Sequence, residues 1–183
     1  NLAFIAADVL LHREHLRPLL EIRAYLELGL LICFFVLIRG LTLVTPEALL
    51  ILWVLIGNLC IVQMTVELGG FNAQYYNGLN LVFLAAGVIV PISWPNHLLA
   101  QLVVLISYYG SNFFFHPPDA AAFHAAIENS FFLIWTCVAV LFSVYLYERV
   151  QHNEFRARVS ERQARQQLEA SNRKLLELDH LKS

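Results

Sequence analysis

The sequence predicts an all-α protein: a polytopic transmembrane helical bundle that continues into a long cytoplasmic coiled-coil helix. Three observations predict it. Of 183 residues, 58% are hydrophobic and 14% charged, with a mean hydropathy of +0.61, well outside the range of soluble globular domains. No Asp, Glu, Lys or Arg occurs between Glu67 and Asp119, nor from Asn129 to Tyr147, and lipid is the natural solvent for such runs. The charges are segregated, with eight of the twelve Lys and Arg at or after Arg149.

Spanning about 30 Å of hydrocarbon takes roughly 20 helical residues. The sequence predicts crossings over 24–44, 48–66, 75–92, 98–115 and 126–147. Arg39 lies near one end of the first, where its stem reaches the headgroups. Pro46 marks the next turn, Gly69 and Gly70 the one after, and Pro91 with Pro95 the third. His116, Pro117 and Pro118 end the fourth crossing. Residues 1–11, apolar apart from Asp8, are too short to span and read as the tail of a helix whose start is missing, which makes six crossings in the parent. The expected division is a membrane bundle over 1–148 and a signalling helix over 149–183.

Orientation follows from the distribution of Lys and Arg, which favours the cytoplasm. The eight basic residues after the last crossing put the C-terminus inside, as expected for a multi-pass protein of the bacterial inner membrane. Alternate crossings then place Arg39 and the Pro91 turn inside, and the Gly69 turn and Pro117 loop outside. Arg13, Arg17 and Arg23 also fall outside, against the rule, but Glu14, Glu21 and Glu27 accompany them at helical spacings.

After Glu148 the chain turns to Glu, Arg, Gln, Asn and Ala without Gly or Pro, so one long helix continues from the membrane. Leu168, Leu175 and Lys182 fall on one heptad position, and Ala157, Ala164, Ser171 and Leu178 on the other, with the 3-4 spacing of a parallel coiled coil. Glu154 and Glu161 extend the first line toward the membrane and weaken the seam. A solvated single helix is the plainer reading of the same composition.

Polar side chains are costly in hydrocarbon unless satisfied. Gln63, Glu67, Asn72, Tyr76, Asn80, Asn112, Glu128 and Asn129 lie toward the expected outer leaflet and are candidates for lining one outward-facing cavity. The alternative is interhelical hydrogen bonding, on the order of 0.6 kcal/mol per contact. A b-type haem needs two imidazoles at matching depth, and only His116 and His124 could meet. With Asp119 and Glu128 they are also the candidates for a pH or metal response. His12, His15 and His152 read as surface residues, and Cys33, Cys60 and Cys137 as small buried hydrophobes without the spacing of a zinc site or disulfide framework. The sequence carries no Gly-rich phosphate loop or Ser-centred elbow, and Arg alternating with Glu after Arg149 does not read as a nucleic-acid surface.

The terminal stretch Leu175-Leu176-Glu177-Leu178-Asp179-His180-Leu181-Lys182-Ser183 resembles the E-L-D-R-L-K-S entry to the dimerisation and phosphoacceptor helix of bacterial sensor histidine kinases, with His180 in place of Arg. In that family the phosphorylated His lies a short distance beyond the Lys-Ser pair, so His180 is not the phosphoacceptor by this alignment. Gly69-Gly70, Tyr75-Tyr76-Asn77-Gly78-Leu79-Asn80 and Asn129-Ser130-Phe131-Phe132 resemble the G-G…Y-Y-x-G-L and N-N-x-F-F patterns of the six-helix sensor region in a group of these kinases, some of them hybrid. The resemblance covers most of the chain after about Arg23. It implies a homodimer in the lipid bilayer and a downstream catalytic domain using ATP and Mg2+. It also implies a response-regulator receiver domain as partner. The rivals are the membrane anchor of a nucleotide cyclase, which can share the architecture, and a small transporter or channel, against which no repeat is evident.

Overall fold

The computed structural model describes residues 8–10, 12–39, 45–117 and 119–180, with side chains in the last stretch up to Glu169 and at Ser171. The described chain is all-α, with helices α1 (Leu16–Arg39), α2 (Pro46–Glu67), α3 (Tyr76–Ile89), α4 (Trp94–Phe115) and α5 (Ala120–His180). Short 3-10 turns occupy Arg13–His15 and Gly70–Asn72. Three helices are long and apolar enough to cross a membrane: Pro46–Glu67, Trp94–Phe115 and Ala120–Glu169.

Local chemistry sets the helix ends. Thr45 caps α2, its side chain accepting from the Ala48 N–H at 3.3 Å, and Pro46 follows at the first helical position, where its missing donor costs nothing. After α2, Gly69 and Gly70 adopt φ of +101° and +72°, left-handed values that a Cβ would strain. Asp119 caps α5 by accepting from the Ala122 N–H at 2.8 Å. Ser93 precedes α4 but does not cap it with its own side chain. Glu47, in the first turn of α2, accepts from the Ser93 hydroxyl at 3.0 Å and the Asn96 amide at 2.8 Å, tying the two N-termini together.

The third expected crossing is shorter than its sequence suggested. The helix covers Tyr76–Ile89, 14 residues or about 21 Å, too short to cross about 30 Å of hydrocarbon alone. Pro91 is the cause: it disfavours the helical conformation at Val90, which adopts φ −96° and ψ 114°. The extended chain that follows keeps its apolar side chains inward, with Val90 and Ile92 buried beside Val54 and Ala86 and Pro91 outside. The helix at the first expected crossing begins earlier than expected, at Leu16, and is not among the three long and apolar enough to cross; residues 40–44 of the expected span lie outside the described residues.

By packing, the chain divides into residues 1–144 and 145–183. Within the first unit α2 is the central helix, with α1, α3 and α4 against it. The core centres on Tyr108, Phe71, Leu79, Val104 and Leu133, all nearly or fully inaccessible, and Cys137 and Val140 of α5 extend it. Phe71 meets Tyr108 and Phe113 edge to face, at centroid distances of 5.7 and 5.1 Å. Most large apolar side chains on the outside of α1 and α5, such as Phe35, Phe131 and Trp135, are exposed, as for surfaces that meet lipid. In the second unit α5 is a solvated helix with i,i+4 pairs Glu154–Arg158 at 3.7 Å and Glu161–Arg165 at 2.6 Å.

Of the described glycines, Gly87 stands closest to a neighbour: an added Cβ there would lie 2.6 Å from Val140 Cγ1. Val140 is β-branched and cannot swing away, so overpacking of about 1–3 kcal/mol exceeds the gain in helix propensity of about 1 kcal/mol. Gly87→Ala is expected to lower the thermal midpoint of the detergent-solubilised protein. In a Val140→Ala background the same change should become neutral or stabilising, because only the propensity term is left.

Candidate functional site

The eight polar residues expected around a cavity are dispersed in exposure. Gln63, Asn72 and Glu128 are exposed, Glu67, Tyr76 and Asn80 half-buried, and Asn112 and Asn129 buried. The buried pair bonds to the fold itself. Asn129 Nδ2 donates to the Phe71 carbonyl at 2.9 Å and to the Tyr108 hydroxyl at 3.1 Å, and Asn112 Nδ2 donates to the carbonyl of Tyr108 at 2.7 Å. Tyr109 adds a second tie to α5 by donating to Ser130 Oγ at 2.7 Å. His116 is held by a 2.7 Å hydrogen bond from Nε2 to the Val66 carbonyl, while His124 is exposed. No cluster of three or more His, Cys, Asp or Glu able to hold a metal ion occurs among the described residues.

Of the seam positions, Ala157, Ala164, Leu168 and Ser171 are exposed, as is every described side chain from residue 151 on. The side chains of Leu175 and Leu178 lie outside the described residues.

A cleft of about 570 Å³ opens elsewhere, between α1 and α3 with α2 as its floor. Its size is that of a small-molecule site. Leu26 and Leu30 of α1 form one wall, Leu81, Val82, Ala85 and Ile89 of α3 the other. On the floor, Trp53, Gly57, Ile61 and Met64 recur at helical spacing on one face of α2. Gly57 keeps the floor low: a Cβ added there meets nothing within 4 Å. None of the eight expected polar residues lines this cleft.

One end of the cleft is polar. Asp8 is fully buried and forms an ion pair with Arg23, Oδ2 to Nε, at 2.7 Å. Arg23 Nη2 donates to the Tyr75 hydroxyl at 3.2 Å, and the Tyr75 ring stands edge-on to His12 at 5.8 Å. Asp8, Arg23, His12 and Tyr75 all line the cleft. The second carboxylate oxygen of Asp8 is buried and accepts no hydrogen bond among the described residues.

In the sequence Asp8 is the one charge in an apolar run, and Arg23 is expected outside with Arg13 and Arg17, accompanied by Glu14, Glu21 and Glu27; the structure pairs Arg23 with Asp8. A buried charge in a membrane segment is a site signal in itself. Removing one partner of a buried pair strands the other, at a cost of about 3–5 kcal/mol, whereas removing both is far milder. Arg23→Leu is therefore expected to abolish most folded yield, and Asp8→Leu with Arg23→Leu to recover much of it, read by size-exclusion profile and thermal melting.

Asn129→Leu removes two interhelical hydrogen bonds, each worth on the order of 0.6 kcal/mol in membranes and up to about 1.7. Its expected effect is a loss of about 1–3 kcal/mol, measured by denaturant titration in micelles. Tyr108→Phe, which removes one of the two, should lose less.

No curated protein and no solved structure matches the chain. A family model does match, MASE8, over residues 6–160, which take in the whole described bundle, the cleft and the first part of the charged stretch of α5. The chain therefore belongs to MASE8, a family of membrane-associated sensor domains.

Proposed function

We propose that this sensor domain is the signal-input and dimerisation region of a bacterial sensor histidine kinase of the inner membrane, with its C-terminus in the cytoplasm. The observation that carries the reading is the continuity of α5, helical from Ala120 to His180 and running directly into the kinase-like E-L-D-H-L-K-S sequence. A stimulus in the bundle biases α5 between two packings, and a downstream autokinase, using ATP and Mg2+ and passing phosphate to a receiver domain, reads the choice. The weak seam suits that role, because a few kcal/mol of differential binding shifts a marginal two-state element. Glu154 and Glu161 each pair with an Arg four residues on, so both seam carboxylates already have partners within their own helix.

Membranes holding the full-length protein, incubated with γ-labelled ATP, are expected to yield acid-labile, base-stable protein phosphate. Formation of a cyclic nucleotide instead would assign the output to a cyclase and overturn the kinase reading. The dimer is tested separately. With Cys33, Cys60 and Cys137 replaced, single cysteines at Ala157, Ala164 or Leu168 are expected to cross-link between subunits under mild oxidation, and one at Gln166, on the opposite side of the heptad, is not.

A further inference from the structure

We propose that the cleft between α1 and α3 is a lateral binding site for one acyl chain of a bilayer phospholipid. Its long sides are aliphatic, with Leu26 and Leu30 of α1 facing Leu81, Val82, Ala85 and Ile89 of α3. Leu81, Ala85 and Ile89 are exposed, as are Leu84 and Val88 beside them on α3, so the mouth is continuous with the apolar surface that meets lipid. The polar groups of the lining gather at the end where α2 finishes. Gln74 and Tyr75 lie in the link from α2 to α3, Asn77 in the first turn of α3, and Tyr75 touches both Arg23 and His12.

Depth and length identify the occupant. With 22 residues, α2 is about 33 Å long and spans the hydrocarbon, which is about 30 Å thick. The floor of the cleft runs from Met64, close to the end of α2, to Trp53, eleven residues or about 16 Å along the axis. That is roughly half the hydrocarbon thickness, the depth that the chains of one leaflet fill. The polar end of the cleft then stands at headgroup level and its far end near the midplane, as the two ends of a phospholipid chain do. Gly57 leaves the floor open midway, since a Cβ there meets nothing within 4 Å. Left empty, the lining would lack contact atoms on its open side, and the chains beside the mouth supply them without crossing water. Phospholipid is also the chain-bearing molecule in greatest excess there. Binding is a property of the bundle, so it stands or falls separately from the identity of the output domain.

Two tryptophans separate this site from the surrounding lipid. Replacing Trp94 and Trp135 by Phe leaves Trp53, on the floor, as the only tryptophan; replacing Trp53 and Trp94 leaves Trp135, exposed on α5. Both full-length proteins are placed in nanodiscs of phosphatidylcholine brominated toward the chain end, then extracted into mild detergent and purified. Both are expected to be quenched in the nanodisc. In detergent Trp135 should recover as its lipid is stripped away, while Trp53 stays quenched and native mass spectrometry finds one brominated phospholipid per subunit. Gly57→Phe fills the floor and should lower the retained lipid by about tenfold or more and restore Trp53 emission, while Gly57→Ala retains both. Should Gly57→Phe not fold, Ala85→Phe, on the exposed wall, is read in its place with the same expectation. Recovery of Trp53 as complete as that of Trp135 overturns the proposal, as does a Phe variant that melts normally and keeps its lipid. Retained quenching that follows a few mole per cent of brominated free fatty acid in unbrominated nanodiscs also overturns it, by assigning the cleft to that source. With Cys33, Cys60 and Cys137 replaced, a cysteine at Ala85 is expected to form no disulfide. One formed with a second copy, or with a cysteine placed at Ile5 in the apolar segment before Asp8, gives the cleft to protein and overturns the proposal equally.

Discussion

In hydrocarbon a backbone N–H or C=O without a partner costs several kcal/mol, so a chain that leaves the helical conformation at membrane depth must cover what it exposes. The chain leaves the α-helical conformation over residues 68–75 and 90–93, the turns that join α2 to α3 and α3 to α4. Side chains from other helices cover both breaks. His116 takes the Val66 carbonyl at the end of α2, and Asn129 takes the Phe71 carbonyl in the turn. Glu47 accepts from the Ser93 backbone N–H at 3.4 Å at the start of α4. Two of the bundle's polar side chains thus sit where the backbone leaves the helix. That is why Asn129 and His116, which look like site residues in a sequence, serve as caps here.

The same rule isolates the polar end of the cleft. Asp8 and Arg23 cap no helix end in one another's company, and their ion pair is buried at 2.7 Å, with exposures of 0% and 7% for the side chains. A buried pair of this kind seldom adds stability over an apolar replacement, because desolvation consumes the attraction. One carboxylate oxygen of the pair is left buried without a partner among the described residues.

Much of the architecture was legible in the sequence because its signals are local. The uncharged runs from residue 68 to 118 and 129 to 147 announce lipid, and Thr45-Pro46, Gly69-Gly70 and Pro91 mark ends that depend on neighbouring residues alone. The length of α3 was misjudged although its stop was visible: Pro91 acts on the residue before it, and an extended Val90–Ile92 buries its side chains as well as a helix does. The cleft was not legible. It exists because α1 and α3 each pack on α2 and leave Gly57 uncovered between them, a consequence of tertiary geometry that no spacing encodes. Asp8 and Arg23 were in view, but a pair fifteen residues apart on separate segments carries no periodic signature.

The position of α3 gives the cleft a mechanical neighbour. One side of α3 lines the cleft with Val82, Ala85 and Ile89, and Gly87 sets its backbone hard against Val140 of α5. With a Cβ position only 2.6 Å from Val140 Cγ1, no slack remains between the two helices. Interiors at this density pass displacement on rather than absorb it. Any movement of α3 toward α5 must either compress that contact, at an overpacking cost of about 1–3 kcal/mol, or move Val140 with it. Such an energy is of the size that repopulates a marginal two-state element. The glycines at 57 and 87 thus act oppositely on the packing: one leaves open space above α2, and the other lets α3 come close to Val140 of α5.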